Sequence, residues 1–497
     1  MSQLSTHPLG GATLAACADR VAVPGYDRSA LSVGIVHFGV GGFHRAHQAM
    51  FLDRLMNAGQ AHDWAICGVG VMPADRRIKE TLEAQDHLYT LVEKHSDGTY
   101  DARVIGSIVD FLFAPDDPEA VIERLADEAT RIVSLTVTEG GYSIDDVTGE
   151  FDAGTPDVAA DLEPGATPAT VFGLVCEALR RRRERGTPPF TVVSCDNLQG
   201  NGTLAGKAFT SFARVRDPEL GEWMEQCVQF PNSMVDRITP ATTDDDRKAV
   251  RDRFGIEDRW PVVCEPFVQW VLEDAFTLGR PPYEEVGVQL VSDVEPYELM
   301  KLRLLNASHQ GLCYFGRLCD YEIVHEAAQD PLFQRFLRGY MDAEATPTLP
   351  AVPGVDLDRY KDTLLERFSN PEIRDTIARL CAESSDRIPK WLLPVVRARL
   401  ADDGAIPHSA AIVASWARYA EGADEHGHPI EVVDRQRDRV MALASEQHDQ
   451  PLAFISNREL FGDLADQPRF AEAFAGCLES LHEHGARATL QAVVDQD

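Results

Sequence analysis

VGIVHFGVGGFHRAH, residues 33–47, is the stretch of this 497-residue chain that decides its fold. It opens with a short apolar run that ends at Gly39, and such a run is typical of a buried parallel strand. After the glycines the sequence continues as a helix-like segment, with apolar residues near one face, until Gly59. A strand, a glycine-rich turn and a helix in this order predict the first unit of a dinucleotide-binding fold.

The glycine turn is the candidate cofactor-binding segment. Glycines at 39 and 41 permit a tight turn and let backbone N–H groups approach a pyrophosphate at the helix N-terminus. The third position of the usual fingerprint is His44 rather than glycine or alanine, and such turns also occur for packing reasons. Arg45 is a candidate phosphate contact, with a surface salt bridge as the alternative. The predicted cofactor-binding residues here are Phe38, Gly39, Val40, Gly41, Gly42, Phe43, His44 and Arg45.

An acidic residue beyond the second strand of a dinucleotide fold binds the ribose hydroxyls and repels a 2′-phosphate. Asp75, four residues after Val71, is the candidate for this role. Arg76 and Arg77 follow it directly, and arginine is the residue that accommodates NADP, so the preferred cofactor stays open at this point. A simple helix N-cap is the alternative role for Asp75.

Strand-like and helix-like segments alternate through the first half of the chain. The predicted strands are 33–39, 65–71, 131–138 and 190–195, and the predicted helices between them lie near 118–129 and 168–185. Such alternation indicates an α/β fold with a mostly parallel sheet. Short strand candidates crowd into 86–113 and predict a small antiparallel insertion.

Helical periodicity dominates after about residue 295. The sequence therefore predicts two domains, a Rossmann-like domain over 1–295 and a mostly α-helical domain over 296–497.

Composition excludes several classes of protein. A formal charge of −33 disfavours nucleic acid and anionic membrane surfaces as partners. No run approaches the roughly 20 apolar residues that span a bilayer, and the N-terminus lacks a signal-peptide pattern, so a cytoplasmic location is expected. The ten cysteines are scattered from Cys17 to Cys477 without a C-x-x-C pair, which predicts reduced, mostly buried thiols.

The segment EPYELMKLRLLNASHQGLCYFGRL, residues 295–318, is predicted to form one long helix. Lys301 is one of only seven lysines among 47 basic residues, and a desolvated lysine, unlike arginine, can lose its proton near neutral pH. At about 100° per residue, Asn306 lies about 140° from Lys301 and His309 about 80° from it, so all three can border one cleft.

These residue types suit hydride transfer to or from a secondary alcohol. The alcohol must lose its proton as the hydride leaves, and Lys301 is the candidate base. The amide of Asn306 can stabilise the negative oxygen, His309 can orient it, and Glu298 can pass protons to solvent. A solvated face of an amphipathic helix is the alternative. No His-x-x-x-His or Glu-x-x-His spacing surrounds His309, so no metal site is predicted.

His44 and His47, three residues apart, form a histidine pair that is a candidate for metal binding. They stand at the start of the predicted cofactor helix, so packing or a phosphate contact is favoured over a metal.

Seven segments together resemble the polyol-specific long-chain dehydrogenase family. They are IVHFGVGGFHRAHQ (35–48), AICGVG (65–70), VTEGGY (137–142), SCDNLQGNG (194–202), FPNSMVDRITP (230–240), VVCEPFVQWVLED (262–274) and KLRLLNASHQ (301–310). The resemblance runs from about residue 20 to near the C-terminus. The MVDRITP segment and the Lys-Asn-His spacing are specific to the family, whereas the glycine turn alone is not.

This resemblance implies a role for each matching catalytic residue. Lys301 matches the general acid/base, and Asn306 matches an oxyanion-binding asparagine. Asn197, in the CDN segment, matches the partner of that asparagine. His309 matches the histidine that binds and orients the reactive oxygen, and Glu298 matches a glutamate that relays protons to the lysine.

The resemblance also implies substrate and cofactor contacts. Asp236 matches a substrate-binding aspartate. Arg379 and Arg387 fall where the family has basic substrate contacts, although Arg387 occupies a lysine position, which puts its role in doubt. Asp75 matches an acid that disfavours NADP, while Ala74 replaces a neighbouring family acid, so the preference for NAD is expected to be relaxed.

The implied activity is a metal-independent, NAD-dependent and reversible oxidation of D-mannitol to D-fructose by a monomer. The same family includes the nearest rivals, a reductase of fructuronate or tagaturonate and a dehydrogenase of sorbitol or arabinitol. A uronate needs an extra cation, which Arg379 or Arg387 can supply. More distant alternatives are a non-catalytic NAD-binding regulator, an epimerase with tightly held NAD, and a zinc dehydrogenase.

Overall fold

The structure is a computed structural model that describes residues 5–145 and 149–496. The chain divides into two units, Met1–Glu295 and Pro296–Asp497. Every named strand within the described residues lies in the first unit: β1 (His7–Pro8), β2 (Val33–Phe38), β3 (Ala65–Gly70), β4 (Tyr89–Lys94), β5 (Tyr100–Ile105), β6 (Ile108–Phe113), β7 (Ile132–Leu135), β8 (Thr191–Ser194), β9 (Ser233–Asp236), β10 (Ile256–Glu257), β11 (Val262–Cys264), β12 (Gln269–Glu273) and β13 (Gln289–Val291).

Helices accompany these strands in the first unit. They are α1 (Leu14–Cys17), α2 (Gly42–Ala46), α3 (Gln48–Asn57), α4 (Asp75–Glu83), α5 (Pro118–Ala126), α6 (Pro156–Leu162), α7 (Val171–Arg185), α8 (Asn201–Arg216), α9 (Pro218–Cys227) and α10 (Asp244–Phe254).

The central sheet has five parallel strands in the order β6-β3-β2-β7-β8. Strand β2 lies in its middle, and its residues alternate between two cores as the two-residue period requires. Val36 and Phe38 join the core formed with α5, α7 and α8, whereas Ile35 joins the core formed with α3. The predicted Rossmann-like α/β fold is confirmed.

The predicted antiparallel insertion is only partly right. Strands β4 and β5 do form an antiparallel pair, but β4 also pairs in parallel with β11, so the small sheet is mixed. Strand β6, which the prediction included, pairs in parallel with β3 in the central sheet. Periodicity identifies a strand but not its neighbours, because long-range pairing is decided by the rest of the fold.

The helix predicted to run from the glycine turn to Gly59 is interrupted at one residue. His47 separates α2 from α3 with φ −124° and ψ −92°, values outside the helical region. Its ring Nε2 lies 2.9 Å from the carbonyl oxygen of Gln269, and the ring contacts Phe43 and Trp270. The break in the helix at His47 thus coincides with contacts of its buried ring to residues elsewhere in the fold.

The second unit is helical, as predicted. Its helices are α11 (Glu295–Met300), α12 (Ala307–Leu318), α13 (Val324–Ala328), α14 (Pro331–Gly339), α15 (Leu357–Phe368), α16 (Ile377–Cys381), α17 (Ser384–Trp391), α18 (Leu393–Ala401), α19 (Pro407–Tyr419), α20 (Arg437–Glu446), α21 (Arg458–Phe461), α22 (Pro468–His484) and α23 (Ala486–Val494). No helix in the described part of the chain is both long and apolar enough to cross a membrane. All ten cysteines are free thiols, and seven of them are buried.

The predicted long helix over 295–318 is continuous but not uniform. A π-helical turn, Lys301–Asn306, separates α11 from α12. A π-helical turn is wider than an α-helical turn, so the rotation of about 100° per residue assumed from the sequence is wrong across this segment. Such turns are rare and often occur at functional sites.

Candidate active site

The glycine turn joins β2 to α2 at the carboxyl end of the central sheet. Gly39 has φ +91°, and a Cβ on it would lie 2.0 Å from the carbonyl oxygen of Thr136 in the segment after β7, so only glycine fits. A Cβ on Gly41 would meet nothing nearer than the Gly39 oxygen at 3.8 Å. Gly39 therefore satisfies a packing requirement, whereas Gly41 leaves open space of the kind that a bound pyrophosphate needs.

Several predicted cofactor-binding side chains of this turn point into the protein. Phe38 and Val40 are core residues, and Phe43 is partly buried against His47. Any contact of Phe38 or Val40 with a cofactor would have to use the backbone.

His44 is buried and stacks on His37, with ring centroids 3.4 Å apart and planes at 9°. Burial lowers the pKa of His37 to about 3 and holds the pKa of His44 well below its usual range. Both rings are therefore neutral at physiological pH. This placement favours the packing role considered for His44.

Arg45 lies beneath the turn rather than on the surface. It is 1% exposed, and its guanidinium donates to the carbonyl oxygens of Trp260 (2.6 Å) and Gly41 (3.3 Å). The surface salt bridge considered from the sequence is therefore wrong. The placement supports the turn from inside and gives no support to the predicted phosphate contact.

Asp75 begins α4, five residues after β3 ends. Its Oδ2 accepts hydrogen bonds from the backbone N–H groups of Val71 (3.0 Å) and Met72 (2.9 Å), which fixes the carboxylate beside the end of the strand. Arg76 forms a bidentate ion pair with Asp116 at 2.6 and 3.0 Å. The charge of Arg76 is thus compensated within the protein.

The loop after β8 carries Asn197, which is exposed. Its neighbour Asp196 is buried and accepts hydrogen bonds from the backbone N–H groups of Val137 (3.1 Å) and Thr138 (2.9 Å). The hydroxyl of Tyr142 donates to the same carboxylate at 2.7 Å. Asp196 therefore ties the VTEGGY segment to the loop that carries Asn197, a positioning role that sequence reasoning missed.

A second buried side chain anchors the other end of this loop. Asn201 donates to the carbonyl oxygens of Asp196 (3.0 Å) and Ser233 (2.8 Å), and it accepts from the Ser233 N–H at 2.9 Å. Ser233 begins β9, and the predicted substrate-binding residue Asp236, which is 5% exposed, ends it. The loop of Asn197 and the strand of Asp236 are thus hydrogen-bonded neighbours.

The residue after Asp236 has a structural role that the sequence did not reveal. Arg237 has a fully buried side chain, pairs with Glu93 at 2.6 Å and donates to the carbonyl oxygens of Glu265 and Ala46. A buried guanidinium needs this full set of acceptors. The MVDRITP motif is specific to its family, so the sequence indicated that this segment matters. It did not indicate which atoms Arg237 binds.

In the second unit, the predicted catalytic residues lie on the segment that contains the π-helical turn. Glu298, Lys301 and Asn306 are 5%, 7% and 7% exposed, so the solvated-face alternative is wrong for these three. The carbonyl oxygen of Arg303, inside the turn, accepts a hydrogen bond from the Tyr340 hydroxyl at 3.1 Å. A wider turn displaces backbone carbonyl groups from their usual α-helical N–H partners. The Tyr340 hydroxyl gives the Arg303 carbonyl a hydrogen-bond donor.

His309 is partly buried in α12, and the centroid of its ring lies 4.3 Å from the ring centroid of Phe368. The next residue, Gln310, donates to the carbonyl oxygen of Leu380 at 3.5 Å. Arg387 donates to that same oxygen at 3.0 Å and to the Arg379 oxygen at 3.2 Å. The structure thus places both predicted basic contacts on a segment that packs against α12.

The two arginines differ in how far their charge is compensated. Arg379 is held by Asp375 through two hydrogen bonds, one of 2.6 Å, and this pairing raises the pKa of its guanidinium. Arg387 donates to carbonyl oxygens, which carry no net charge.

Comparison with known proteins gives matches over both units. The family model of the mannitol dehydrogenase Rossmann domain matches residues 33–285, and that of the mannitol dehydrogenase C-terminal domain matches residues 293–482. Mannitol 2-dehydrogenase of Aspergillus terreus is 46% identical over 97% of this chain and 97% of its own length. The relative from Pyricularia oryzae is 45% identical over 96% of each chain.

Two solved structures resemble the chain over nearly its full length. The mannitol 2-dehydrogenase of Pseudomonas fluorescens, solved as a ternary complex with NAD and D-mannitol, is 46% identical, with a TM-score of 0.91 over 99% of this chain and 100% of its own. A substrate-free D-sorbitol dehydrogenase is 40% identical, with a TM-score of 0.88 over 97% of this chain and 100% of its own.

Proposed function

Because this chain belongs to the mannitol dehydrogenase family, we propose that it catalyses the NAD-dependent, metal-independent and reversible oxidation of D-mannitol to D-fructose. The family predicted from the sequence is confirmed. The observation that carries the proposal is the 46% identity, at a TM-score of 0.91, to an enzyme whose structure holds NAD and D-mannitol.

The carboxyl end of the central sheet fits the proposed cofactor. The open space at Gly41 suits the pyrophosphate, and Asp75, which is fixed beside the end of β3, is proposed to bind the ribose hydroxyls. NAD, when bound, supplies the acceptor for the hydride that leaves C2 of the polyol. The pairing of Arg76 with Asp116 leaves no uncompensated charge on Arg76 for a 2′-phosphate.

Lys301 is the proposed general base. It takes the proton from the C2 hydroxyl during oxidation and returns it during reduction of the ketose. The residue is only 7% exposed, which distinguishes it from an ordinary solvated surface lysine. Glu298 precedes it by three residues on the same buried segment and is proposed to relay the proton onward.

Three further side chains are proposed to act on the reacting oxygen. Asn306 and Asn197 donate amide N–H groups to the developing alkoxide, and His309 orients it. The buried hydrogen bonds of Asp196 and Asn201 hold the loop of Asn197 in place. The loop therefore needs little reorganisation when negative charge develops on the substrate oxygen.

Asp236 is proposed to bind substrate hydroxyls, with Arg379 and Arg387 as further contacts. The Arg379 guanidinium already pairs with Asp375, so it offers little net charge to a substrate carboxylate. This pairing leaves Arg387 rather than Arg379 as the cation available to a hexuronate such as fructuronate, so the proposal of a neutral polyol rests on the identity to mannitol 2-dehydrogenases. Sorbitol is the second candidate substrate, because the chain is also 40% identical to a D-sorbitol dehydrogenase.

A substrate panel tests the proposal. Mannitol, sorbitol, arabinitol and fructose are assayed with NAD or NADH, fructuronate with NADH, and each again with the phosphorylated cofactor. The proposal expects the highest kcat/KM with mannitol and NAD. A higher value with sorbitol or fructuronate would reassign the substrate, and absence of turnover on every compound would favour a regulator. A chelator should leave the rate unchanged.

The role of Lys301 has its own test. Lys301→Ala should lower kcat by about 100- to 10,000-fold, since a positioned acid/base contributes that much. Retention of turnover within about threefold of the unmodified enzyme would remove Lys301 from the mechanism.

We also propose that the enzyme works as a monomer, as its resemblance to the family implies, and that it is located in the cytoplasm. Sedimentation at several protein concentrations tests the monomer, and a concentration-dependent increase in mass would contradict it.

A further inference from the structure

We propose that Glu421, His448 and His482 form a binding site for a divalent transition-metal ion of the zinc class, apart from the predicted catalytic residues. One candidate ligand atom from each side chain lies within 4.8 Å of the others. The three residues come from separate segments: Glu421 follows α19, His448 follows α20, and His482 lies in the last turn of α22. The three residues are separated by 27 and 34 positions in the sequence, which is too far for a short metal-binding motif, so the sequence alone did not indicate this cluster.

Both histidines present the same ring nitrogen to one carboxylate. Nε2 of His482 lies 2.7 Å from Glu421 Oε1, and Nε2 of His448 lies 4.0 Å from Glu421 Oε2. The two imidazole rings stack with centroids 4.8 Å apart and planes at 26°.

The carboxylate at the centre is held in place. The Glu421 side chain is 13% exposed; Gln447 donates to its Oε1, and Arg418 contacts its Oε2 at 3.0 Å. A fixed carboxylate reduces the entropy that an incoming ion must overcome. The positive charge of Arg418 opposes a cation, so the affinity should be lower than that of a closed structural zinc site.

Two imidazole nitrogens and one carboxylate oxygen are a donor set that zinc uses, with water in the fourth position. Mg²⁺ and Ca²⁺ prefer oxygen ligands only and suit the site poorly. Ligand atoms of a tetrahedral zinc site lie about 3.3 Å apart for bonds of about 2.0–2.1 Å, so His448 must approach the other two residues and the 2.7 Å contact between His482 and Glu421 must lengthen. The His448 side chain is 63% exposed and can rotate toward the other two.

Metal binding here would join the C-terminal ends of α19, α20 and α22. An ion that binds only the folded state raises the free energy of unfolding, in proportion to the logarithm of its concentration above Kd. None of the three ligands is a predicted catalytic residue, so the bound ion is expected to stabilise the second unit and not to take part in the reaction.

The test uses the full-length protein after treatment with a chelator. Calorimetric titration with Zn²⁺ should give one ion per chain, and Co²⁺ should give visible absorption bands of a bound, low-coordinate ion. His448→Ala and His482→Ala should each weaken Zn²⁺ binding at least about tenfold and remove the rise in Tm that Zn²⁺ produces.

His484→Ala is the matched control, because His484 lies on the same helix, is 64% exposed and is not part of the cluster. It should bind Zn²⁺ as the unmodified protein does. Mannitol turnover without metal should stay unchanged in all three variants, which shows that they fold. Equal Zn²⁺ binding by the two cluster variants, or no saturable binding by the unmodified protein, would overturn the proposal without affecting the proposed function.

Discussion

The hydroxyl of Tyr142 donates a 2.7 Å hydrogen bond to the buried carboxylate of Asp196. Burial, reinforced by the charge of Asp196, holds the pKa of this tyrosine well above its usual range, so it stays a donor. Asp196 stands next to Asn197, so this bond ties a predicted oxyanion donor to the core of the first unit.

Replacing Tyr142 should impair both stability and catalysis. We expect Tyr142→Phe to lower the free energy of unfolding by about 1.5–3 kcal/mol, the contribution of a buried hydrogen bond to a charged group, and to lower kcat because the loop of Asn197 loosens. Urea unfolding and steady-state kinetics measure the two effects. Tyr26→Phe is the control, because Tyr26 donates a 2.6 Å hydrogen bond to another buried aspartate, Asp53. It should lose similar stability and keep kcat; an equal loss of kcat in both variants would contradict the positioning role.

Cofactor preference should depend on two aspartates. Asp75→Asn keeps an oxygen that can accept from Val71 and Met72 but removes the charge that repels a 2′-phosphate. Asp116→Asn weakens the ion pair that holds Arg76. Each should raise the ratio of kcat/KM for NADP to that for NAD by about tenfold, equivalent to about 1.4 kcal/mol.

Asp63→Asn is the control for these variants, since Asp63 also pairs with an arginine, Arg131, at 2.9 Å but at the amino end of the sheet. Its ratio should not change. An unchanged ratio in Asp75→Asn would mean that Asp75 acts only as a cap of the loop.

The π-helical turn at Lys301 should depend on Tyr340. Tyr340→Phe removes the donor to the Arg303 carbonyl and leaves that oxygen buried without this partner, at a cost of about 1–3 kcal/mol. We expect lower kcat as well, because the turn carries Lys301. Tyr419→Phe is matched to it: Tyr419 is buried in the same unit and donates to the Glu431 carbonyl at 3.2 Å. If both variants kept full kcat, the turn would not need this bond for catalysis.

Acid should destabilise the first unit through its buried histidines. The pKa of His37 is about 3 in the folded protein against about 6.5 in the unfolded chain, so on acidification the unfolded chain takes up its proton first. The stabilisation is complete above pH 6.5 and is lost as pH falls toward 3. At pH 5 the loss from His37 alone is about 2 kcal/mol, and His44 acts in the same direction.

Unfolding by urea at pH 7.5 and pH 5.0 measures this loss. His37→Phe keeps a ring of similar size without the titrating group, so its stability should fall by about 2 kcal/mol less over this interval than that of the unmodified protein. If both proteins lost the same free energy of unfolding between pH 7.5 and pH 5.0, His37 would not remain neutral in the folded state.

Much of the architecture was predictable because it rests on local patterns. Apolar runs identified four of the five strands of the central sheet, and helical periodicity after residue 295 identified the helical part of the chain. The break at His47 and the mixed pairing of β4 were not predictable, because both depend on contacts with residues far along the chain.

By itself, the sequence determined the fold class, the family and the chemical groups available for hydride transfer. Gly39 illustrates both levels, since its positive φ belongs to a single turn, whereas the close approach of the Thr136 carbonyl belongs to the tertiary structure. Tertiary structure decided where each group lies. In the tertiary structure Arg45 and His44 are buried, and the helix is wider at Lys301. Hydrogen bonds hold Asp196 next to Asn197. Three separate segments bring together Glu421, His448 and His482. Such placements are set by long-range packing and by the need to satisfy buried polar groups, which no local pattern encodes.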